Sequence, residues 1–436
     1  MTDIADRAEP AVAPVLVPDG AAAGPAPGPT ARTPGGSGRK LSWDVLRVAF
    51  VLLVILYHST FIGPLVYHDI LPKNFVFPHQ VGASLLLVLS AYFVAATVRR
   101  GGARRGGTAR WWWGKLARLM PAFFVATVNA WLFLRYLAPD GWYYPGKKDL
   151  VANLLMLWHW DASWGFVDGS YWTIPLQLMA FCLAAVMWRG PLGRGVALRV
   201  VMWAALIIPA LQWHFLATGG GGAVYALFAN GLGVFRWHLF VAGIAVWMVS
   251  TGRLRLWHFV AIEVVAVAEH ALQSSMLDPV AGWGTDWDAV VGIALGLVAM
   301  TAAAVGPDWD RWIPAVGRRA ITWLAGISYG VFLTHQTIGY VVMRRVQELG
   351  VGPTLQTVVM ILTGVFAGWL LTRLVERPLH QALMRWWDRV PARYGRVEAA
   401  PLATVPIASP VTVTTPMSAS SGVTRPIPSS SRVTRS

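Results

Sequence analysis

The sequence predicts an all-α fold, a polytopic membrane helical bundle of about ten transmembrane helices with disordered termini, and three observations predict it. Of 436 residues, 56% are hydrophobic and only 13% are charged, whereas soluble globules carry about 25% charged residues. The apolar residues gather into runs near the ~20 residues that cross a hydrocarbon layer as a helix. Many of the 24 tryptophans stand at the ends of those runs, as in WWWGK and WDRW, where an amphipathic ring suits the headgroup level.

The runs fall at 43–63, 79–98, 119–138, 173–189, 198–217, 232–250, 256–273, 287–306, 320–343 and 354–374. The first is apolar around Arg47 and His58, and the second, up to the YFVAATV stretch, carries no charge. Between the second and third lies a basic segment with Arg99, Arg100, Arg104, Arg105, Arg110, Lys115 and Arg118 and no acid. With the amino terminus inside, this segment is cytoplasmic, as the positive-inside rule requires. Arg189, Arg194 and Arg199, then Arg253 and Arg255, then Arg311, Arg318 and Arg319, and last Arg377, Arg385 and Arg389 fall on the same side. Opposite loops are poorer in charge or acidic, with Asp278, Asp286 and Asp288, and Lys147, Lys148, Arg344 and Arg345 are exceptions. The expected location is the cell (plasma) membrane, multi-pass, with both termini cytoplasmic.

This pattern accounts for the net charge of +15 as topology, so no nucleic-acid partner is inferred. Residues 1–40, rich in Ala, Pro and Gly, read as a disordered tail, 41–390 as the membrane domain, and 391–436, rich in Ser, Thr, Pro and Val, as a second disordered tail. Cys182 is alone, which excludes an intrachain disulfide. The outer loop from Pro139 to Trp172 is aromatic, and its DLVANLLMLWHW has the spacing of a short amphipathic helix on the membrane. It reads equally as a roof over a site or as an interfacial connector.

Arg47 and His58 concentrate the candidate chemistry. Eleven steps at about 100° return to within roughly 20° of one helix face and separate the two groups by about 16 Å along the axis. Ionisable groups in the hydrocarbon layer cost on the order of 2.5–3.5 kcal/mol, so they face a bundle interior and mark functional paths. Neutral imidazole can take a proton from a hydroxyl, and arginine can hold phosphate or a carbonyl oxygen. The plainer alternatives are a hydrogen-bonded bundle histidine and a snorkelling arginine.

The stretch LSWDVLRVAFVLLVILYHS, with an arginine, ten residues and a histidine, resembles the first helix of the acyltransferase 3 family of integral membrane O-acyltransferases. In order follow LSAYFVAATV, similar to the family's second helix, KLARLMPAFF, similar to its basic segment, and YWTIPLQLMAFCL, similar to its W-[ST]-L-x-x-E helix. GISYGVFLTHQ and VERPL resemble its I-S-Y-x-x-Y-L-x-H and E-[KR]-P stretches. The matches span about 41–380. Gln177 stands where the family usually has glutamate, Ala91 replaces a glycine, and Lys115 stands where arginine is frequent; an amide can still orient a partner but is no carboxylate.

The resemblance implies transfer of an acyl group, commonly acetyl, from acyl-CoA to a hydroxyl of a carbohydrate or other small acceptor. His58 would be the general base and Arg47 would hold or polarise the donor. Lys115 and Arg118, at the start of the third helix where free backbone N–H groups also favour anions, would bind its phosphates. Tyr171, Trp172, Gln177 and His335 would contact substrate, with His335 alternatively a structural histidine or a brace for His58. Acyl-CoA is then a donor substrate, and no permanent cofactor is expected. The ten histidines lack H-E-x-x-H spacing and no cysteine pair exists, so no metal site is inferred, and no Gly-x-Ser-x-Gly signal occurs. Arg236, His238, Glu263 and Glu269 either line an acceptor cavity or pair across helices. The rival function is a multi-helix transporter or flippase, against which stands the lack of a repeat between the halves.

Overall fold

The computed structural model describes residues 40–393 apart from 103–106, 162, 219, 221 and 279–281. Of the predicted tails, 1–40 and 391–436, residues 1–39 and 394–436 lie outside the described residues, as do Arg104 and Arg105, while 391–393 end the last helix. The chain divides into two compact units, Met1–Met384 and Arg385–Ser436; of the second, only the end of one helix is described.

The described elements are almost all helical. They are α1 (Leu41–Tyr57), running through a π-helical stretch (His58–Ile62) into α2 (Gly63–Val66), α3 (Val81–Gly102), α4 (Gly107–Tyr136), α5 (Lys147–Leu154) and α6 (Thr173–Met187). Then come α7 (Gly195–Ala217), α8 (Ala223–Gly231), α9 (Trp237–Ser250), α10 (Leu256–Gln273) and the hairpin β1 (Ser275–Asp278) and β2 (Gly282–Thr285). The chain continues with α11 (Trp287–Val305), α12 (Ala315–Thr334), α13 (Thr337–Glu348), α14 (Pro353–Leu371), a second π-helical stretch (Thr372–Glu376) and α15 (Arg377–Arg393).

Eight described helical segments are long and apolar enough to cross a membrane, making this a multi-pass membrane protein. Helices α10 and α12 occupy two further predicted spans, but Glu263, Glu269 and His270 in one and Arg318 and Arg319 in the other dilute their apolar character. Ten is therefore an approximate count. The predicted amphipathic loop helix appears as α5 followed by a 3₁₀ turn at Leu157–His159.

The predicted continuous span 320–343 is broken at His335 and Gln336. Asp168 causes the break: its Oδ2 accepts from the Thr337 backbone N–H at 3.0 Å and its Oδ1 from that of Ser170 at 2.9 Å. The Thr337 hydroxyl donates to the Val167 carbonyl at 3.0 Å. The restarted helix thus has its first backbone donor, that of Thr337, satisfied by a buried carboxylate.

Helix α3 runs through the interior against α1, α4, α6, α9 and α11. Without water to compete for backbone groups or an oil-water difference to drive helices together, close packing at small residues governs association in a bilayer. Gly330 of α12 and Gly368 of α14 illustrate it: a Cβ on Gly330 would lie 2.4 Å from the Gly368 oxygen, and one on Gly368 only 2.3 Å from the Val331 nitrogen. This approach carries the end of α14 to the floor of the site described below.

Helices α1 and α11 cap one another. The Lys40 ammonium donates to the carbonyls of Ala303, Ala304 and Gly306 at 3.0, 3.2 and 2.9 Å, closing the last turn of α11. The Asp308 carboxylate accepts from the backbone N–H groups of Leu41 and Ser42, both at 2.9 Å, opening α1. Burial pushes the Asp308 carboxyl upward, but donation from the Leu41, Ser42 and Trp309 backbones outweighs it and holds the group below its ordinary value. A carboxyl lowered in the folded state stabilises fully above its unfolded value of about 3.9, and that contribution disappears as pH falls through the folded value. Asp308→Asn should therefore lower the unfolding temperature of the detergent-solubilised protein at pH 7, and the gap from wild type should narrow on acidification below about pH 4; a gap independent of pH would contradict the capping role.

Candidate active site

One face of α1 organises the site. Arg47, Val51, Val54 and His58, spaced i, i+4, i+7 and i+11, line two cavities that follow one another along the helix. The shared face inferred from the sequence is thus the face that meets empty space. The first cavity, of about 170 Å³, is bounded by Arg47, Lys115, Arg118 and Gln177 among others. The second, about 10 Å³ and at the threshold for one water, is bounded by His58, Tyr57, Gln80, Ser170 and Trp172. Phe332 of α12 lines both.

Three lining residues of the larger cavity are cationic and none is acidic. Arg47 lies over the Phe93 ring, 5.5 Å from its centroid. The Lys115 ammonium stands 5.6 Å from both the Trp111 and Phe181 centroids. These rings attract the cations by their quadrupoles. Arg118 forms an ion pair, its Nε donating to Glu376 Oε1 at 3.0 Å, while Glu376 Oε2 accepts from the Thr372 hydroxyl at 3.2 Å. Glu376 and Thr372 lie in the second π-helical stretch, where an extra residue in the turn re-aims side chains, and such stretches recur at functional sites. The arrangement can hold a multiply charged anion.

The smaller cavity is bordered by one member of a histidine pair. His58 opens the first π-helical stretch and His335 ends α12 at the helix break. Both are buried, and His58 Nδ1 lies 2.7 Å from His335 Nε2. His335 Nδ1 lies 2.8 Å from the Phe332 carbonyl. A carbonyl only accepts, so His335 carries its proton on Nδ1 and, when neutral, has its lone pair on Nε2. His58 must then donate from Nδ1, and its lone pair is on Nε2. The chain Phe332 carbonyl, His335, His58 assigns the tautomers of both rings and makes His58 Nε2 the basic atom.

Seven of the sequence-derived site residues gather at these cavities: Arg47, Lys115, Arg118 and Gln177 at the larger, His58 and Trp172 at the smaller, and His335 against His58. Tyr171 lines neither. It is fully buried, packs edge-on against Phe123 at 5.4 Å, and donates its hydroxyl to the Leu333 carbonyl at 2.9 Å, which anchors the strand of backbone leading into His335. Asp168 and Phe332 were absent from the sequence reading. The Asp-x-Ser turn at 168–170 was the available sign of Asp168, a pattern that marks helix starts; nothing in the sequence separates Phe332 from ordinary core phenylalanines.

The Arg118–Glu376 pair gives a direct test. Removing one partner leaves the other desolvated and unpaired, whereas neutralising both does not. Arg118→Ala should lower the unfolding temperature more than the double variant Arg118→Ala, Glu376→Gln does. A double variant at least as unstable as the single would show that the pair is not coupled.

No curated protein and no solved structure matches the chain. A family model described as an acyltransferase domain matches residues 40–373, which takes in both cavities, the histidine pair and the first two residues of the second π-helical stretch. With a match over that length, the chain belongs to the acyltransferase 3 family, and the protein is a membrane acyltransferase.

Proposed function

We propose that the protein transfers an acyl group, acetyl in the first instance, from acyl-CoA to a hydroxyl of a carbohydrate or similar small acceptor, at the plasma membrane with both termini in the cytoplasm. The observation that carries this reading is the pair of cavities on one face of α1, one cationic and one holding a histidine with a free basic nitrogen, meeting at Phe332. Arg47, Lys115 and Arg118 hold the donor's phosphates, since guanidinium and ammonium groups in a partly desolvated cavity favour exactly such charge. The roughly 16 Å of helix between Arg47 and His58 is then spanned by the donor's pantetheine arm, with the thioester at the Phe332 passage.

His58 Nε2 takes the proton of the acceptor hydroxyl as the oxygen bonds to the thioester carbonyl carbon. The C–S bond breaks, and the departing thiolate recovers the proton from His58, giving the ester and free coenzyme A. No acyl group is held on the enzyme. The imidazolium formed in between is stabilised by the His335 Nε2 lone pair, which the Phe332 carbonyl keeps directed at it. His335 fills the place of the orienting carboxylate in serine-hydrolase triads, but as a neutral group it raises basicity less.

General-base groups contribute about 10²–10⁴ in rate. Membranes given labelled acetyl-CoA and a panel of hydroxylated acceptors should lose transfer by about that factor with His58→Ala, and by a smaller factor with His335→Ala, without a matching rise in the donor KM. Transfer by His58→Ala as fast as wild type would remove the base assignment.

The passage gives a second test. The small cavity is too narrow for an acyl chain as it stands, so the Phe332 ring limits what reaches His58. Phe332→Ala should raise the ratio of butyryl to acetyl transfer, and Phe332→Trp should slow both; an unchanged ratio would show that the ring does not control acyl length.

A further inference from the structure

Beyond the smaller cavity, at the end of the bundle where α9 begins, stands Arg236. Its Nη2 donates to Gln80 Oε1 at 3.3 Å, and its guanidinium lies 5.1 Å from the Trp172 centroid. Gln80 and Trp172 both border the His58 cavity. The Nε of Arg236 is buried without a hydrogen-bond partner. Among the described residues no carboxylate forms an ion pair with it. Asp286 is taken up by His79 at 2.8 Å and by the Ala289 backbone N–H at 2.9 Å. Asp168 is taken up by Ser170 and Thr337. On the far side of Arg236 the neighbours are the buried histidines His238 and His270, 3.2 Å apart, which offer no negative charge.

A half-buried guanidinium that stacks on one cavity wall, bonds to another and meets no counter-ion is costly in a membrane bundle, and the cost is recovered when a ligand brings the charge. Snorkelling does not explain it, because the group is held inward by Gln80 and Trp172. A structural ion pair does not explain it either, because the pair is incomplete.

We propose that Arg236, with Gln80 and Trp172, forms an acceptor subsite for an anionic group, so that the acceptor presented to His58 is a hydroxylated molecule bearing a carboxylate or a phosphate. The proposal rests on the acyl-transfer reading for its use of the word acceptor, but the subsite's affinity for an anion does not. Guanidinium binds both oxyanions through paired N–H donors. Trp172 supplies an apolar face for the body of the ligand, and Gln80 supplies a donor and an acceptor beside it.

The test uses the full chain in detergent at fixed ionic strength, with protection against thermal unfolding as readout. Four probes are compared: methyl glucoside, methyl glucuronide, glucose 6-phosphate and inorganic phosphate. The expected result is protection by the carboxylated or the phosphorylated sugar and not by methyl glucoside, with inorganic phosphate far weaker. Which of the two sugars protects identifies the anion. Arg236→Gln should lose at least about tenfold in apparent affinity for the protecting sugar, the worth of one charge-assisted hydrogen bond, while being no less stable than wild type without ligand. Arg236→Lys, which keeps the charge but not the planar fork, should retain the anion preference at reduced affinity, and serves where the glutamine variant does not fold. Equal protection by neutral and anionic sugars, protection by none, protection by inorganic phosphate as strong as by the sugar, or a preference undiminished in Arg236→Gln would each overturn the proposal. His58→Ala, which should lose transfer, should keep the preference; a wild-type protein that prefers the anionic sugar yet transfers no acyl group in membranes refutes the acyl-transfer reading and leaves this subsite standing.

Discussion

The hydrogen bond from His58 Nδ1 to His335 Nε2 is the contact on which the rest of the structure turns. Two imidazoles inside an apolar bundle cannot both be left with unmet polar atoms, since each would cost on the order of 1–3 kcal/mol. Their mutual bond, backed by the Phe332 carbonyl, satisfies three of the four ring nitrogens and leaves one free, on His58. Everything that brings the rings together is a departure from regular helix: the π-helical stretch beginning at His58 and the break after His335. Such departures give up backbone hydrogen bonds, which a membrane protein can tolerate only where neighbouring groups replace them. Asp168 does so at the break, accepting from Thr337 and Ser170 at once.

From that contact the arrangement of the two cavities follows. With His335 drawn to α1, Phe332 one turn earlier is brought between the histidine and the cationic cavity, where it borders both. The glycine contacts between α12 and α14 bring Glu376 within reach of Arg118, so the cationic end is held partly by an internal carboxylate and partly by the rings of Phe93, Trp111 and Phe181. Charge is therefore distributed unevenly along the path. Arg47, Lys115 and Arg118 gather at one end, a histidine pair stands in the middle, and Arg236 lies beyond with Trp172 and Gln80.

Much of this was legible in the sequence, and the reason differs from residue to residue. The face shared by Arg47 and His58 follows from helical periodicity alone, which a long apolar run in a bilayer has little freedom to evade. The basic stretch ending in Lys115 and Arg118 was visible as charge, but the helix start expected beside them lies instead at Gly107, which puts both inside α4, so the cavity and not free backbone N–H groups marks these two cations. The membrane class followed from composition, while the number of spans was approximate because α10 carries Glu263, Glu269 and His270, the last two buried in the bundle, and α12 opens on the exposed Arg318 and Arg319.

What the sequence by itself determined is whatever depends on neighbours along the chain: helical spans, their amphipathic faces, the ordered motifs and the candidate cations and histidines. The tertiary structure alone decided what depends on groups far apart in the chain. Asp168 breaks a helix by bonding to Thr337, 169 positions away. His58 finds the partner of its Nδ1, and with it an assigned tautomer, in a histidine 277 positions away. Tyr171, grouped with substrate residues by its neighbourhood in the chain, turns instead to the Leu333 carbonyl. The physical reason is that hydrogen bonds are short and directional: local periodicity says which side of a helix a polar group occupies, but only the packed bundle decides which partner it finds there.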